Sequence, residues 1–144
     1  MAKVTATAER TIDAPLEKVR ALVADYSDTR PKILTEQYLD YEVAEGGSGA
    51  GTKASWKLQA TSKRVRSIAA TVTEPQPGTF VETDANSSMI TTWTLREAGT
   101  GTLVRIETSW DGAGGIGGFF EKTFAPGGLK RIYDGVLVKL DKIA

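Results

Sequence analysis

The sequence contains no cysteine and no histidine. The first absence removes disulfide staples, thiolate metal sites and a cysteine nucleophile. The second removes the commonest general base at neutral pH and the commonest metal ligand. Neither sign of charge is in excess. Eighteen Lys and Arg residues balance eighteen Asp and Glu, so the positive field that tracks phosphates is missing and no nucleic-acid partner is expected. No run approaches the ~20 apolar residues that cross a bilayer. Met1 to Thr11 alternates polar and apolar residues where a signal peptide would be continuously apolar. The expectation is a cytoplasmic protein with no membrane insertion, no metal and no other cofactor.

What is present fits one ordinary domain. At 144 residues, 40% hydrophobic and 25% charged, residues 1–144 have the size and composition to bury one core without staples, and no repeat or linker divides them. Val4 to Ile12 alternates, with Val4, Ala6, Ala8 and Ile12 on one face, which predicts a strand. Asp13 is placed to cap a helix with Pro15 in its first turn. Leu16, Val19, Leu22, Val23 and Tyr26 then recur at helical spacing. Ser27, Asp28 and the Arg30-Pro31 step end that helix, and Lys32 to Thr35 adds a short second turn.

From Gln37 to Trp110 the period is two. Six strands are predicted: Tyr38 to Ala44, Thr52 to Ala60, Arg64 to Glu74, Thr79 to Ala85, Met89 to Ala98 and Thr102 to Trp110. Their short, turn-forming connections give antiparallel neighbours, hence a meander. After Gly112 to Gly118 the period returns to 3.6. Phe120 and Phe124 lie one turn apart, and Pro126-Gly127-Gly128 interrupts or kinks the helix. Leu129, Ile132, Tyr133, Val136, Leu137, Leu140 and Ile143 continue it as an apolar stripe. The predicted class is α+β, a helix-grip: a seven-stranded antiparallel curved sheet wrapped around a long C-terminal helix, with one or two short helices after the first strand.

Apolar parity assigns the helix-facing side to Leu39, Tyr41, Val43, Ala54, Trp56, Leu58, Ile68, Ala70, Val72, Met89, Trp93, Leu95, Val104, Ile106 and Trp110. Lys53, Lys57, Arg105 and Glu107 fall on the other face, and so, by this register, do Glu42 and Glu82. Several inward residues are small, among them Ala54, Ala60, Ala70 and Thr108. Two readings stand side by side. An underfilled interior would suit an apolar guest in ~300–1,000 Å³ of pocket; alternatively, the small residues mark where the terminal helix approaches closely. On the first reading the guest touches Tyr41, Trp56, Leu58, Ile68, Met89, Trp93, Ile106, Trp110, Phe119, Phe120, Tyr133 and Val136. On the second those rings are packing.

Short motifs follow the same plan. Ile12-Asp13-Ala14-Pro15 with Val19, Leu22 and Asp25, then Gly49-Ala50-Gly51-Thr52, Glu74-Pro75, Gly101-Thr102 and the amphipathic C-terminal helix resemble the START-like (SRPBCC) superfamily of polyketide cyclases, dehydrases and lipid-transport proteins, with its Bet v 1-like helix-grip. The resemblance spans essentially the whole chain, in motifs that are short and specify fold better than activity. One position departs from the pattern: Arg20 stands where an aromatic often follows the helix valine. The resemblance implies an internal cavity for lipids, polyketides or other apolar molecules, with cyclisation, dehydration or hydrolysis in a minority of members.

The chemistry-bearing residues are few. Gly112-Ala113-Gly114-Gly115-Ile116-Gly117 matches G-x-G-x-x-G, but no second parallel strand follows to complete a dinucleotide unit. With Phe119 and Phe120 behind it, the run forms either a pocket mouth or an ordinary loop. Arg66 and Arg10 share inward parity with apolar neighbours. Each either holds a ligand oxygen or reaches solvent from a strand end, since an unpaired buried charge is very costly. With His and Cys absent, the catalytic candidates reduce to Arg66 and Tyr133, as donors polarising a ketone. No carboxylate pair shares a predicted inward face. Three readings remain: a non-enzymatic binder of an apolar small molecule, an aromatase/cyclase-like enzyme using the same cavity, and a filled-core module acting through protein contacts. A homodimer is left open.

Overall fold

The N-terminal alternation forms strand β1 (Lys3–Ile12), with Ala6, Ala8 and Ile12 buried. The structure, a computed structural model, describes residues 3–61, 64–111 and 126–144. Helices α1 (Leu16–Ala24) and α2 (Thr29–Ile33) follow β1. Then come β2 (Tyr38–Glu45), β3 (Lys53–Thr61), β4 (Arg64–Gln76), β5 (Thr79–Asp84), β6 (Ile90–Ala98) and β7 (Gly101–Asp111). Helix α3 (Pro126–Ile143) completes the described chain, with Pro126-Gly127-Gly128 in its first described turn. All strand pairs are antiparallel, in the order β1-β7-β6-β5-β4-β3-β2. The meander is therefore continuous from β2 to β7, and the first strand joins beside the last.

Helix α3 lies on the apolar face of this sheet, packing on β1 and on α2, which is the helix-grip arrangement. Its stripe is buried at Leu129, Ile132, Tyr133, Val136, Leu137 and Leu140. Across β1 the inward residues are Ala6 and Ala8, small enough for the helix to come close. The Gly112 to Gly118 run, Phe119, Phe120 and Phe124 lie outside the described residues. Among the described residues, no helix is long and apolar enough to cross a membrane.

Local departures from the alternation have physical causes. Pro15, not Asp13, holds the N-cap of α1, and no side chain caps it. A tight turn in which the Ala14 N–H donates to the Ile12 carbonyl aims Asp13 at α3, where its N–H donates to Asp141 Oδ1. Arg30-Pro31 falls inside α2, because Pro31 occupies the first turn, where a missing N–H costs nothing. In β2, Leu39 faces outward and Tyr38 inward, the reverse of the expected parity. Tyr38 pairs with Leu58 and Leu39 with Lys57, yet Glu42 already pairs with Ser55. The extra residue is accommodated at Asp40, whose φ of 52° is a left-handed conformation that Asp tolerates. Beyond this bulge Tyr41 and Val43 pack inward against the core.

The junction of β1 and β7 is tight at Gly101. A Cβ there would lie 2.6 Å from the Ile12 carbonyl oxygen, and backbone cannot rotate aside as a side chain does. Gly101→Ala is expected to destabilise the fold by about 1–3 kcal/mol, the usual cost of forced overpacking. The shift in urea midpoint would measure it; an unchanged midpoint would show that the two strands separate freely here.

Candidate functional site

The site begins at the turn after α1. Asp25 Oδ1 accepts the N–H groups of Ser27 and Asp28, and Oδ2 accepts the Thr29 hydroxyl. These bonds, the Asp28 N–H foremost, hold the Asp25 carboxyl below its ordinary pKa. The Arg30 N–H donates to the Asp25 carbonyl, and the Tyr26 N–H to that of Gly47. The turn is thereby closed, and the side chains of Tyr26 and Arg30 enter the interior, both buried.

Inside, they meet a carboxylate. Glu82 Oε2 accepts Arg30 Nη2 at 2.7 Å and the Tyr26 hydroxyl at 2.6 Å. The guanidinium lies 4.2 Å from the Tyr26 ring centroid and 4.7 Å from that of Trp93. Only 4% of either charged side chain is exposed. Burial works against the arginine's charge, but Glu82 overcomes it and holds the Arg30 pKa above its ordinary value. Burial, reinforced by the negative Glu82, raises the Tyr26 pKa strongly, so this phenol is neutral.

The sheet register places Glu82 in a polar row. Glu82 pairs with Thr91 and Thr91 with Thr108, so one inward row crosses β5, β6 and β7. The Thr91 and Thr108 hydroxyls are 2.7 Å apart, and Thr108 also bonds the Tyr133 hydroxyl from α3. Burial pushes the Tyr133 pKa up to about 12. The next inward row is aromatic, with Phe80 opposite Trp93 and Trp93 opposite Ile106.

Between these rows and the helices is a cavity of about 20 Å³. Its lining is Arg30, Leu34, Tyr38, Trp56, Leu58, Glu82, Met89, Thr91, Trp93, Tyr133 and Val136. That volume holds about one water. This cavity is much smaller than the pocket that the small inward side chains suggest. Two lining residues nonetheless carry unsatisfied groups: among the described residues, the indole N–H groups of Trp56 and Trp93 are buried without a hydrogen-bond partner.

Of the residues singled out from the sequence, Trp56, Leu58, Met89, Trp93, Tyr133 and Val136 come together around this cavity. Ile106 and Trp110 are fully buried in the core but do not line it. Tyr41 stacks on Trp56 with centroids 5.9 Å apart, and both border an open groove beside the β2 bulge together with Ile68. Phe119 and Phe120 are outside the described residues. Arg66, on β4 opposite Leu58, is half-buried and is not part of the lining, so it does not converge with Tyr133 on this cavity. Arg10 reaches the surface and pairs with Asp141 at 2.9 Å.

Two inferences from parity are overturned. Glu82 faces inward, not outward, and it shares that face with Asp84, so an inward carboxylate pair does exist. On β5 one parity reads Phe80, Glu82, Asp84 and the other Thr79, Val81, Thr83, and Phe80 opposite Trp93 decides which is buried. Asp84 is occupied by local bonds: it accepts from the N–H groups of Ala69 and Asn86 and from the Ser87 hydroxyl. Arg30 gives no signal in the sequence, because a charged residue before proline reads as a loop, and Tyr26 reads there only as a packing residue.

The comparisons with known proteins agree with this architecture. Residues 1–144 match the family described as polyketide cyclase / dehydrase and lipid transport. The chain belongs to that family. No curated protein matches it. Among solved structures, the solution structure of KanY protein (ms6282) is 52% identical, with 99% of this chain and 98% of that one covered and a TM-score of 0.90. TTHA0849 from Thermus thermophilus is 20% identical over 96% of this chain and 95% of that one, at a TM-score of 0.74. Ara h 8.0201 is 13% identical over 99% and 97%, at 0.63. The two distant structures share the fold alone. Membership of the polyketide cyclase/dehydrase and lipid-transport family carries a cavity-forming fold, and the START-like resemblance of the sequence is that of a family member.

Proposed function

We propose that this protein binds an apolar small molecule between α3 and the sheet, oriented by the polar groups that line the cavity. The observation that carries the reading is the unsatisfied pair of indole N–H groups, at Trp56 and Trp93, among the residues that line the cavity. A filled core has no reason to keep two orphan donors, each costing about 1–3 kcal/mol. The cavity is small, so a guest must displace side chains. Met89, unbranched and flexible, is the most easily moved of the lining. Affinity then comes from apolar burial, less the cost of that displacement.

The test is native mass spectrometry of the purified protein with organic extraction, alongside titration with the neutral fluorophore N-phenyl-1-naphthylamine. A copurified apolar mass or saturable binding of the fluorophore, lost in Val136→Trp, supports the reading. An apo mass with no saturable binding overturns it and leaves the filled-core module.

A second reading is favoured by the hydroxyl row of Thr91, Thr108 and Tyr133 beside Glu82 and Arg30. Here Tyr133 is the polarising donor of a cyclase-like reaction on a bound ketone, without Arg66. It predicts turnover of a poly-β-ketone substrate that Tyr133→Phe abolishes while binding persists.

A further inference from the structure

We infer that the guest is an uncharged molecule carrying a carbonyl-type oxygen, held by the indole N–H groups of Trp56 and Trp93, and that carboxylates are rejected. This deepens the binding reading and rests on it. The support is how the charged groups, Thr91, Tyr133 and the two indoles of the lining are bonded; Tyr38, whose hydroxyl can donate or accept, also lines it. Arg30 and Glu82 neutralise each other, with Tyr26 donating a further bond to the same carboxylate oxygen. Thr91 and Tyr133 are joined through Thr108. What is left over at Trp56 and Trp93 is donor capacity, because an indole N–H donates and never accepts. A guest that completes the site must therefore supply an acceptor. A pure hydrocarbon would leave both donors unsatisfied.

Charge decides which acceptor. The lining holds one cation and one anion, already 2.7 Å apart. A guest carboxylate would enter a dry space beside Glu82, facing an arginine whose charge is committed. Two neutral indole donors do not replace the water it loses. A ketone or similar neutral oxygen loses little hydration and gains one or two hydrogen bonds.

The experiment compares three probes of matched shape, 2-acetylnaphthalene, 2-isopropylnaphthalene and 2-naphthoate, by displacement of N-phenyl-1-naphthylamine from the full chain at pH 8. The ketone is expected to bind on the order of tenfold more tightly than the hydrocarbon, the ratio that one good neutral hydrogen bond gives, and more tightly than the carboxylate. Trp56→Phe and Trp93→Phe keep a ring and delete the N–H, and at least one should shrink that ratio to roughly threefold or less. Should either variant fail to fold, the wild-type protein still decides. It has three tryptophans, and the ketone must shift the indole N–H resonances of Trp56 and Trp93 downfield where the hydrocarbon does not. Equal affinity for ketone and hydrocarbon, tightest binding of the carboxylate, or unmoved indole resonances would overturn the inference while leaving a binding protein. If none of the three probes binds, the binding reading falls and takes this one with it.

Discussion

Glu82→Leu is expected to lower the stability of this protein by about 3–5 kcal/mol, because it strands the Arg30 guanidinium in the interior. The guanidinium would keep its contacts with the Tyr26 and Trp93 rings, but these do not neutralise it, and the Tyr26 hydroxyl would lose its acceptor as well. Against a typical total of about 5–15 kcal/mol, such a loss brings the folded state close to its limit. The double substitution Arg30→Met with Glu82→Leu is expected to recover most of it. A buried pair gains back in attraction roughly what its desolvation costs, so removing both charges at similar volume is near neutral. Urea denaturation of the two single variants and the double variant closes the cycle, with unchanged m-values as the condition for comparing midpoints. A single-variant loss below about 1 kcal/mol would mean that water reaches Arg30, contrary to its 4% side-chain exposure.

The second large effect is alkaline. All four tyrosines have raised pKa values. Burial is the leading cause for each, taking Tyr41 and Tyr133 to about 12, with Glu82 adding to the rise at Tyr26. The sign follows from linkage. A folded pKa above the unfolded value of about 10 means the folded state keeps its proton longer, so stability is complete below pH 10 and falls as pH rises toward the folded values. The slope is about 1.4 kcal/mol per pH unit for each tyrosine still protonated in the fold and ionised outside it. Phenolate absorbance near 295 nm should therefore stay low above pH 10 and then appear together with loss of the far-ultraviolet circular dichroism. A phenolate transition centred near pH 10 in a protein that remains folded would contradict the burial of these hydroxyls.

The first of these effects depends on a charge pair that the sequence alone does not mark. The strands are legible because alternation is a local property: β1 to β7 all lie within two residues of the boundaries that the alternation predicts. The stripe on α3 is legible for the same reason, with Leu129 through Leu140 buried as its spacing requires. Leu39 is misplaced by parity because one added residue at Asp40 reverses it, and nothing in the Leu39-Asp40-Tyr41 string announces a left-handed φ. Arg30 and Glu82 are illegible for a different reason. A charged side chain reads as solvated until its partner is known, and here the partners are 52 residues apart. Trp56, Trp93 and Tyr133 can be named from the sequence as large inward groups, but not that two of them lack a hydrogen-bond partner while the third has one.

Taken by itself, the order of residues determined the element sequence, the antiparallel meander, the apolar helix stripe and the family pattern, since each depends on neighbours a few positions away. The tertiary structure alone decided which side chains line the cavity, which charges enter the interior and which donors are left over. Those are properties of side chains meeting across the sheet and α3, and they depend on a bulge, a turn and a strand register acting together.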